Sequence, residues 1–520
     1  MLVRCSDAIA SEVKPVVEKI VSSRIASRIG AKDATIWGLA AQSEAEKRLG
    51  WVTSAKDSLS LIEEVLQLRN SFVANGIDRF VLCGMGGSSL APEVITRFSN
   101  KDLVILDSTA PEQVRSALLK LESTAVIVSS KSGSTVETDS QKRAFEAAFE
   151  SLGINPVDRI VIVTDPNSPL DIAARADGYR VFNADPTVGG RFSALTAFGL
   201  VPAGLAGCDI SLLLDQAETV ASALLTDSAD NPAILLAAAL AGRAGVDKFL
   251  VESDSLPGFG DWVEQLVAES TGKEGRGILP LAVTSNAPEF NFDLLDVIDV
   301  RYGTSSARVN FEGELGQLFL LWEYATAIAC WILGVNPFDQ PNVESAKVAS
   351  RELLENPSFN NPVDFVDQNI AVKVRGFSHE GSTVESACVA LWGELSDNGY
   401  ISIHAYLPRN EFPQFEALRD LIALHSKRPV TFGWGPRFLH STGQYHKGGP
   451  KQGVFLQLIQ NQEDEELSVP GRPFTFGQLI SAQSNGDAEV LESSGLPVLT
   501  LKLNQPLEAL ELLRRLFSSN

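Results

Sequence analysis

From Phe80 onward, short β-branched runs alternate with longer amphipathic stretches. The runs are Phe80–Cys83, Leu103–Leu106, Ala125–Val128, Arg159–Val163 and Tyr179–Phe182. Apolar strands separated by helix-length segments predict a parallel sheet covered on both faces. Ligands of such sheets bind beyond the carboxyl ends of the strands, so the loops after these runs are the places to seek chemistry. Residues 1 to about 50 carry mixed apolar and charged spacing with few breakers and read as helical. A Gly/Pro-rich stretch, Gly199 to Gly207, separates the first block from a second. There an Ala-rich helix (Pro232 to Ala244) and a strand (Lys248–Glu252) are followed by further elements to about Glu355. The segment Asn356–Pro362 reads as a linker. Beyond it, Tyr400–Leu407, Val430–Phe432, Val454–Leu458 and Val498–Leu503 alternate with helical stretches. The pattern predicts an α/β protein: a helical segment over 1–50, doubly wound parallel-sheet domains over 51–205 and 206–355, and a smaller α/β domain over 356–520. Gly-Ser-Thr-Val-Glu occurs at 133–137 and again at 381–385. A shared capping box, Ser followed three residues later by Glu, accounts for the echo better than duplication.

Composition narrows the function classes. Apolar residues make up 44% and charged residues 21% of 520, which supports sizeable cores and excludes disordered and disulfide-scaffold classes. The net charge of −22 argues against a nucleic-acid or anionic-membrane binder, since phosphate neutralisation needs clustered Lys and Arg. Any anionic substrate must therefore find a locally positive site. Five scattered cysteines with no metal-ligand spacing make a reduced, metal-free, cytoplasmic protein the expectation. Asp7, Glu12 and Glu18 speak against a leader peptide. Leu315 to Val335 is long enough to span a bilayer, but Gln317, Glu323 and the absence of basic flanks favour a buried helix.

Two loops are suited to phosphate. The first strand runs into Gly84-Met85-Gly86-Gly87-Ser88-Ser89, ahead of a helix containing Pro92. Glycines admit close backbone approach, and a helix N-terminus offers N–H donors. A dinucleotide fingerprint fits Gly84-x-Gly86 with Asp107 as the ribose acid, but Ser89 occupies the third glycine position. The third strand ends in Ser129-Ser130-Lys131-Ser132-Gly133-Ser134-Thr135, before a helix from about Val136. Five hydroxyls, a lysine and a glycine at a helix start suit a phosphate monoester; the bland reading is a Ser-rich turn. A dinucleotide does not need this second loop, whereas a sugar phosphate must be gripped at both ends.

Gln265 and Glu269 stand four apart on one helix face, and Gly272 is placed to end that helix. Glu269 thus lies at the negative end of the dipole, which favours proton acceptance, with Lys273 as a partial offset. Surface helices often carry such a glutamate. Arg191, after Gly189 and Gly190, is placed to reach into a pocket as a fixed cation; the alternative is a surface pair. Lys347 ends the stretch from Asn336 and reads, with Glu344, as an exposed helix pair.

Together, Gly84–Pro92, Ser130–Thr138, Gly189–Ser193, Gln265–Lys273 and Pro337–Lys347 resemble the phosphoglucose isomerase family in order and spacing, over roughly residues 50 to 350. Lys32–Gly38 and the C-terminal domain look most like the isomerase half of fused transaldolase/phosphoglucose isomerase proteins. The resemblance implies two sugar-isomerase (SIS) domains and interconversion of glucose 6-phosphate and fructose 6-phosphate without metal or organic cofactor. It implies that Ser130, Lys131, Ser132, Thr135 and Thr138 hold the phosphate and that Gly87 and Ser88 line the sugar. Glu269 would shuttle the proton between C1 and C2, Gln265 would orient the substrate, and Arg191 would stabilise the enediolate. Lys347, with Gln340, would assist ring opening.

Two departures from the family pattern stand out. Asn342 and Ala346 occupy positions that are usually glycine. The ring-opening histidine, which the family carries between the base and the final lysine, has no counterpart there; all five histidines follow residue 378. Gly443-Gln444-Tyr445-His446 is similar to the family's Gly-Gln-His, which favours His446, with His440 in reserve. In the family this histidine crosses a dimer interface, so a homodimer is the expected assembly. The rival reading is a non-catalytic sugar-phosphate-binding regulator on the same fold, which would need the serine loop but not Glu269, Arg191 and Lys347. A dinucleotide-dependent dehydrogenase is disfavoured by Ser89.

Overall fold

The computed structural model describes residues 2–342, 354, 363–461 and 467–518. Lys347, Glu344, Ala346 and the expected linker 356–362 lie outside the described residues. The chain divides into two compact units. The first comprises Met1–Asp107, Ala117–Ser285 and Leu295–Asp339; the second comprises Ser108–Ser116, Asn286–Leu294 and Gln340–Asn520.

The first unit holds two sheets. Within the expected helical segment, residues Leu2–Cys5 form a strand, β1. Four residues are too few to show a period, and the partner lies some 300 positions away, which is why the pattern reads as helix. Strands β2 (Arg79–Gly84), β3 (Val104–Leu106), β4 (Thr124–Ser129), β5 (Ile160–Thr164) and β6 (Arg180–Asn183) make the first sheet, all parallel, in the order β3-β2-β4-β5-β6. Phe80–Cys83, Ala125–Val128 and Ile160–Val163 are buried throughout, as helices on both faces require. The second sheet contains β7 (Lys248–Glu252), β8 (Leu279–Val283), β9 (Val297–Tyr302) and β10 (Val309–Glu312), in the order β1-β10-β9-β7-β8. Only β1 runs antiparallel.

The apolar helix Leu315–Leu333 ends where Gly334 takes a left-handed conformation. It is long and apolar enough to cross a membrane, but 83% of that stretch is buried in the core. Trp322 stacks on Phe249 of β7, and Trp51 packs edge-on against Tyr324.

The second unit is built on a mixed sheet of β11 (Phe365–Asp367), β12 (Ile370–Arg375), β13 (Tyr400–Tyr406), β14 (Val430–Trp434), β15 (Gly453–Gln460) and β16 (Val498–Leu503), ordered β11-β12-β16-β15-β13-β14. Period-two alternation along β13 gives the sheet two unlike faces. Ile401, Ile403, Ala405 and Leu407 enter the main apolar core. Tyr400, Ser402, His404 and Tyr406 alternate with them on a buried polar layer. The expected capping boxes at the repeated pentapeptide are not the caps observed. The second helix (Val384–Gly393) is capped by Thr383, whose hydroxyl accepts from the Ser386 N–H. At the first (Val136–Ser151) the Thr135 hydroxyl is turned instead to Ser130, 3.1 Å away. Each cap is one residue beyond the serine that the sequence pattern points to.

Candidate active site

The site assembles in the first unit, at the carboxyl ends of the first sheet's strands. β2 delivers Gly84 into the turn Gly86–Ser88, and β4 delivers Ser129 into the serine loop. Gly86 adopts φ 54°, a conformation that favours glycine. Gly87 lies so close to the turn of Gly189–Ser193 that an added Cβ would come within 2.0 Å of the Gly190 carbonyl oxygen. The Ser193 hydroxyl donates to that same carbonyl at 2.6 Å. Two loops from distant parts of the sequence are thereby held against each other, and Arg191 is carried on the second.

Helix Phe259–Thr271 packs on both turns and presents Gln265 and Glu269 from adjacent turns of one face. The Gln265 amide donates to Glu269 Oε2 at 3.2 Å. Arg191 Nη1 stands 3.2 Å from Glu269 Oε1, and the two side chains are only 5% and 7% exposed. Arg191 is oriented by its remaining donors: Nη2 donates to the carbonyls of Pro337 (2.9 Å) and Asp339 (3.2 Å). Lys273 does not act as the offsetting charge beside Glu269. Its ammonium is turned to Asp339 Oδ1 (2.6 Å) and to the carbonyls of Asn336 and Asp339. Burial lowers its pKa from the ordinary lysine range, with Arg191 adding to that shift and Asp339 opposing it. The guanidinium thus faces the carboxylate, and the ammonium fixes the chain that leads toward Lys347.

The serine loop is partly open. Ser130 and Thr138 are buried, Lys131 and Thr135 are half-buried, and Ser132 is exposed. The Ser130 hydroxyl accepts from the Gly133 N–H at 3.2 Å, while the Thr138 hydroxyl is buried with no partner among the described residues. Lys131 meets Asp165 Oδ2 at 2.5 Å, just past the end of β5. Burial draws both groups toward neutrality, the lysine down and the carboxyl up, against their mutual attraction. Asp165 and Asp339 were not singled out in the sequence. Asp165 follows a predicted strand, the position where functional loops were expected, and Asp339 lies inside the last motif.

Gln340 is exposed and begins the second unit; Ser88 is buried beside Gly87. The histidine stretch departs from the sequence expectation of an open loop. Gly443–Gly448 is a helical turn, buried along its whole length. His446 lies in the interior of the second unit, with Nδ1 2.8 Å from the Tyr400 hydroxyl and Nε2 3.4 Å from the Ser402 hydroxyl. Burial, with nearby His404 and Lys447, holds its pKa well below the usual histidine range. Next to it, Asp487 accepts from Lys447 (2.6 Å) and pairs with His404 (3.2 Å). Both ring nitrogens of His446 are thus occupied inside the unit, whereas His440 is half-buried at the end of the turn Arg437–His440. Gln444 of the same stretch grips Asn342, accepting from its N–H and donating to its side-chain oxygen, each at 2.9 Å.

Residues 56–275 match the phosphoglucose isomerase family. A probable glucose-6-phosphate isomerase of Haloarcula marismortui is 38% identical over 209 residues, covering 38% of this chain and 48% of its own length. The chain thus spans about half of that relative. A glucose-6-phosphate isomerase of Rubrobacter xylanophilus is 28% identical over 379 residues, covering 57% of this chain and 87% of its own. Among solved structures, a glucose-6-phosphate isomerase of Chlamydia trachomatis superposes with a TM-score of 0.53 at 19% identity, covering 68% of this chain and 86% of its own. That likeness bears on the fold, an α/β architecture. None of these relatives is named as a regulator.

Proposed function

Starting from the match of residues 56–275 to the phosphoglucose isomerase family, we propose that this chain interconverts glucose 6-phosphate and fructose 6-phosphate. The observation that carries the reading is the buried cluster of Glu269, Arg191 and Gln265 beside two loops at the carboxyl ends of the first sheet. An aldose–ketose shift needs one carboxylate that takes a proton from C2 of the open-chain aldose and returns it to C1. It also needs a cation beside the oxygens that become negative meanwhile. Glu269 takes the first role and Arg191 the second. The Arg191–Glu269 contact keeps base and cation within one substrate width of each other. Gln265 orients the base and the substrate. Ser130, Lys131, Ser132, Thr135 and Thr138 take the phosphate, and Gly87 and Ser88 line the carbon chain. Ring opening belongs in this reading to Lys347 with Gln340, and to His446 with His440 in reserve. A homodimer and a cytoplasmic setting are parts of the same reading.

The test is turnover of fructose 6-phosphate in deuterated water. Conversion with deuterium at C2 of the aldose supports the base mechanism; no turnover overturns the proposal. Glu269→Gln should lower kcat by about two to four orders of magnitude. A loss below tenfold would place the base elsewhere.

A further inference from the structure

Each predicted cation described in or near the site already faces a carboxylate: Arg191 faces Glu269, Lys273 faces Asp339, and Lys131 faces Asp165. The local field at the serine loop is therefore close to neutral, which differs from the positive pocket the net charge seemed to demand. We infer that Asp165 is a positioning residue that holds Lys131 against the end of β5, so that an incoming phosphate must compete with a resident carboxylate for its cation. This rests on the reading of the serine loop as the phosphate site and deepens it.

The geometry supports it at three points. First, Lys131 Nζ lies 2.5 Å from Asp165 Oδ2, and this is the one hydrogen bond the ammonium makes among the described residues. An ammonium carries three donors, so two remain for a ligand. Second, the pair is only partly shielded, with side chains 22% and 18% exposed, so a ligand can reach the ammonium without displacing the core. Third, Asp165 Oδ1 is buried without a partner among the described residues. An unpaired carboxylate oxygen of this kind disfavours an approaching dianion. Thr164 and Ser168 brace the same corner: the Thr164 hydroxyl donates to the Ser130 carbonyl at 2.7 Å and lies 2.8 Å from the Ser168 hydroxyl. These bonds hold the backbone on either side of Asp165. Functionally, the loop grips phosphate through hydroxyls and N–H groups with a shared cation. That moderates affinity equally for substrate and product and eases release of both, as an enzyme working in either direction requires.

The experiment is calorimetric titration of the full chain with inorganic phosphate, comparing the wild type, Asp165→Asn, Lys131→Met and the double variant. Asp165→Asn should bind phosphate about tenfold tighter than the wild type, with a steeper loss on adding salt. The gain should vanish in the double variant. With fructose 6-phosphate, the Asp165→Asn KM should fall by about the same factor while kcat does not rise. Weaker or unchanged phosphate binding in Asp165→Asn, with binding still lost in Lys131→Met, overturns the role of Asp165 alone. Affinity that is the same in all four proteins overturns the phosphate-loop reading beneath it.

Discussion

Gly87 and Gly190 bring two backbones close together in the site, and that approach can be tested with a single methyl group. An alanine at Gly87 would place its Cβ 2.0 Å from the Gly190 oxygen and 2.5 Å from its carbonyl carbon. Such contacts essentially never fall below 3.0 Å, so the two turns must part by at least 1.0 Å. Neither side of the contact is a flexible side chain, so the shift passes to the segment that carries Arg191. Misplacement of about 1 Å at a reacting centre costs on the order of a hundredfold in rate. Gly87→Ala should therefore lower kcat/KM for fructose 6-phosphate by about a hundredfold, with a stability loss of about 1–3 kcal/mol from overpacking. Gly189→Ala provides the comparison, because nothing lies within 4 Å of its added Cβ. The assay is steady-state isomerisation, with thermal unfolding followed in parallel. Retention of more than a third of kcat/KM by Gly87→Ala would falsify the claim that this contact sets the position of Arg191. A loss in Gly189→Ala as large as that in Gly87→Ala would do the same.

Two further outcomes are expected of the second unit. His446 and His404 are both held below the ordinary histidine pKa, chiefly by burial, so the folded chain binds fewer protons than the unfolded one. The stability they contribute is therefore present above the unfolded value of about 6.5 and is lost as pH falls below it, by up to about 1.4 kcal/mol per pH unit for each ring. Denaturant unfolding at pH 7.5, 6.5 and 5.5 reads this; a flat profile refutes it, and His446→Gln should shallow the slope. The Asn342–Gln444 pair should behave as one unit in a double-mutant cycle. Asn342→Asp keeps an acceptor for the Gln444 amide and should cost little, whereas Gln444→Glu removes that donor from a fully buried position and should cost about 1–3 kcal/mol. Combined, they set two carboxylates face to face and should lose about 2 kcal/mol beyond the sum of the singles.

What could be read from the sequence was mostly local in origin. β2, β4 and β5 are buried on both faces, so their apolar runs announce them without any knowledge of partners. The glycine and serine loops were legible for the same reason: their chemistry is written in consecutive residues. Gln265 and Glu269 needed only the helical period. The partners of each charge were not legible. Asp165 meets Lys131 across 34 positions, and Asp339 meets Lys273 across 66. The histidine stretch was misread because two histidines, a lysine and several glycines look solvent-loving. Asp487, 40 positions beyond Lys447, lets that polarity be buried. Residues Ser108–Ser116 and Asn286–Leu294 belong to the second unit although their neighbours belong to the first. Their ties are likewise non-local: the Thr109 hydroxyl donates to Gln483 at 2.6 Å, and Arg419 pairs with Glu289.

The antiparallel pairing of β1 with β10 constrains how the chain is made as well as how it stands. Leu2–Cys5 finds its hydrogen-bonding partner only in Val309–Glu312. At a synthesis rate of about 5–20 residues per second, that partner emerges roughly 15–60 s later. For all of that interval the edge of β1 is an unpaired template, and from Asn183 onward it waits while the first sheet, β2 to β6, is already complete in sequence. The second sheet can close only after the whole of the first has been synthesised, so a nascent chain of this protein passes through a stage with one finished sheet and one waiting strand.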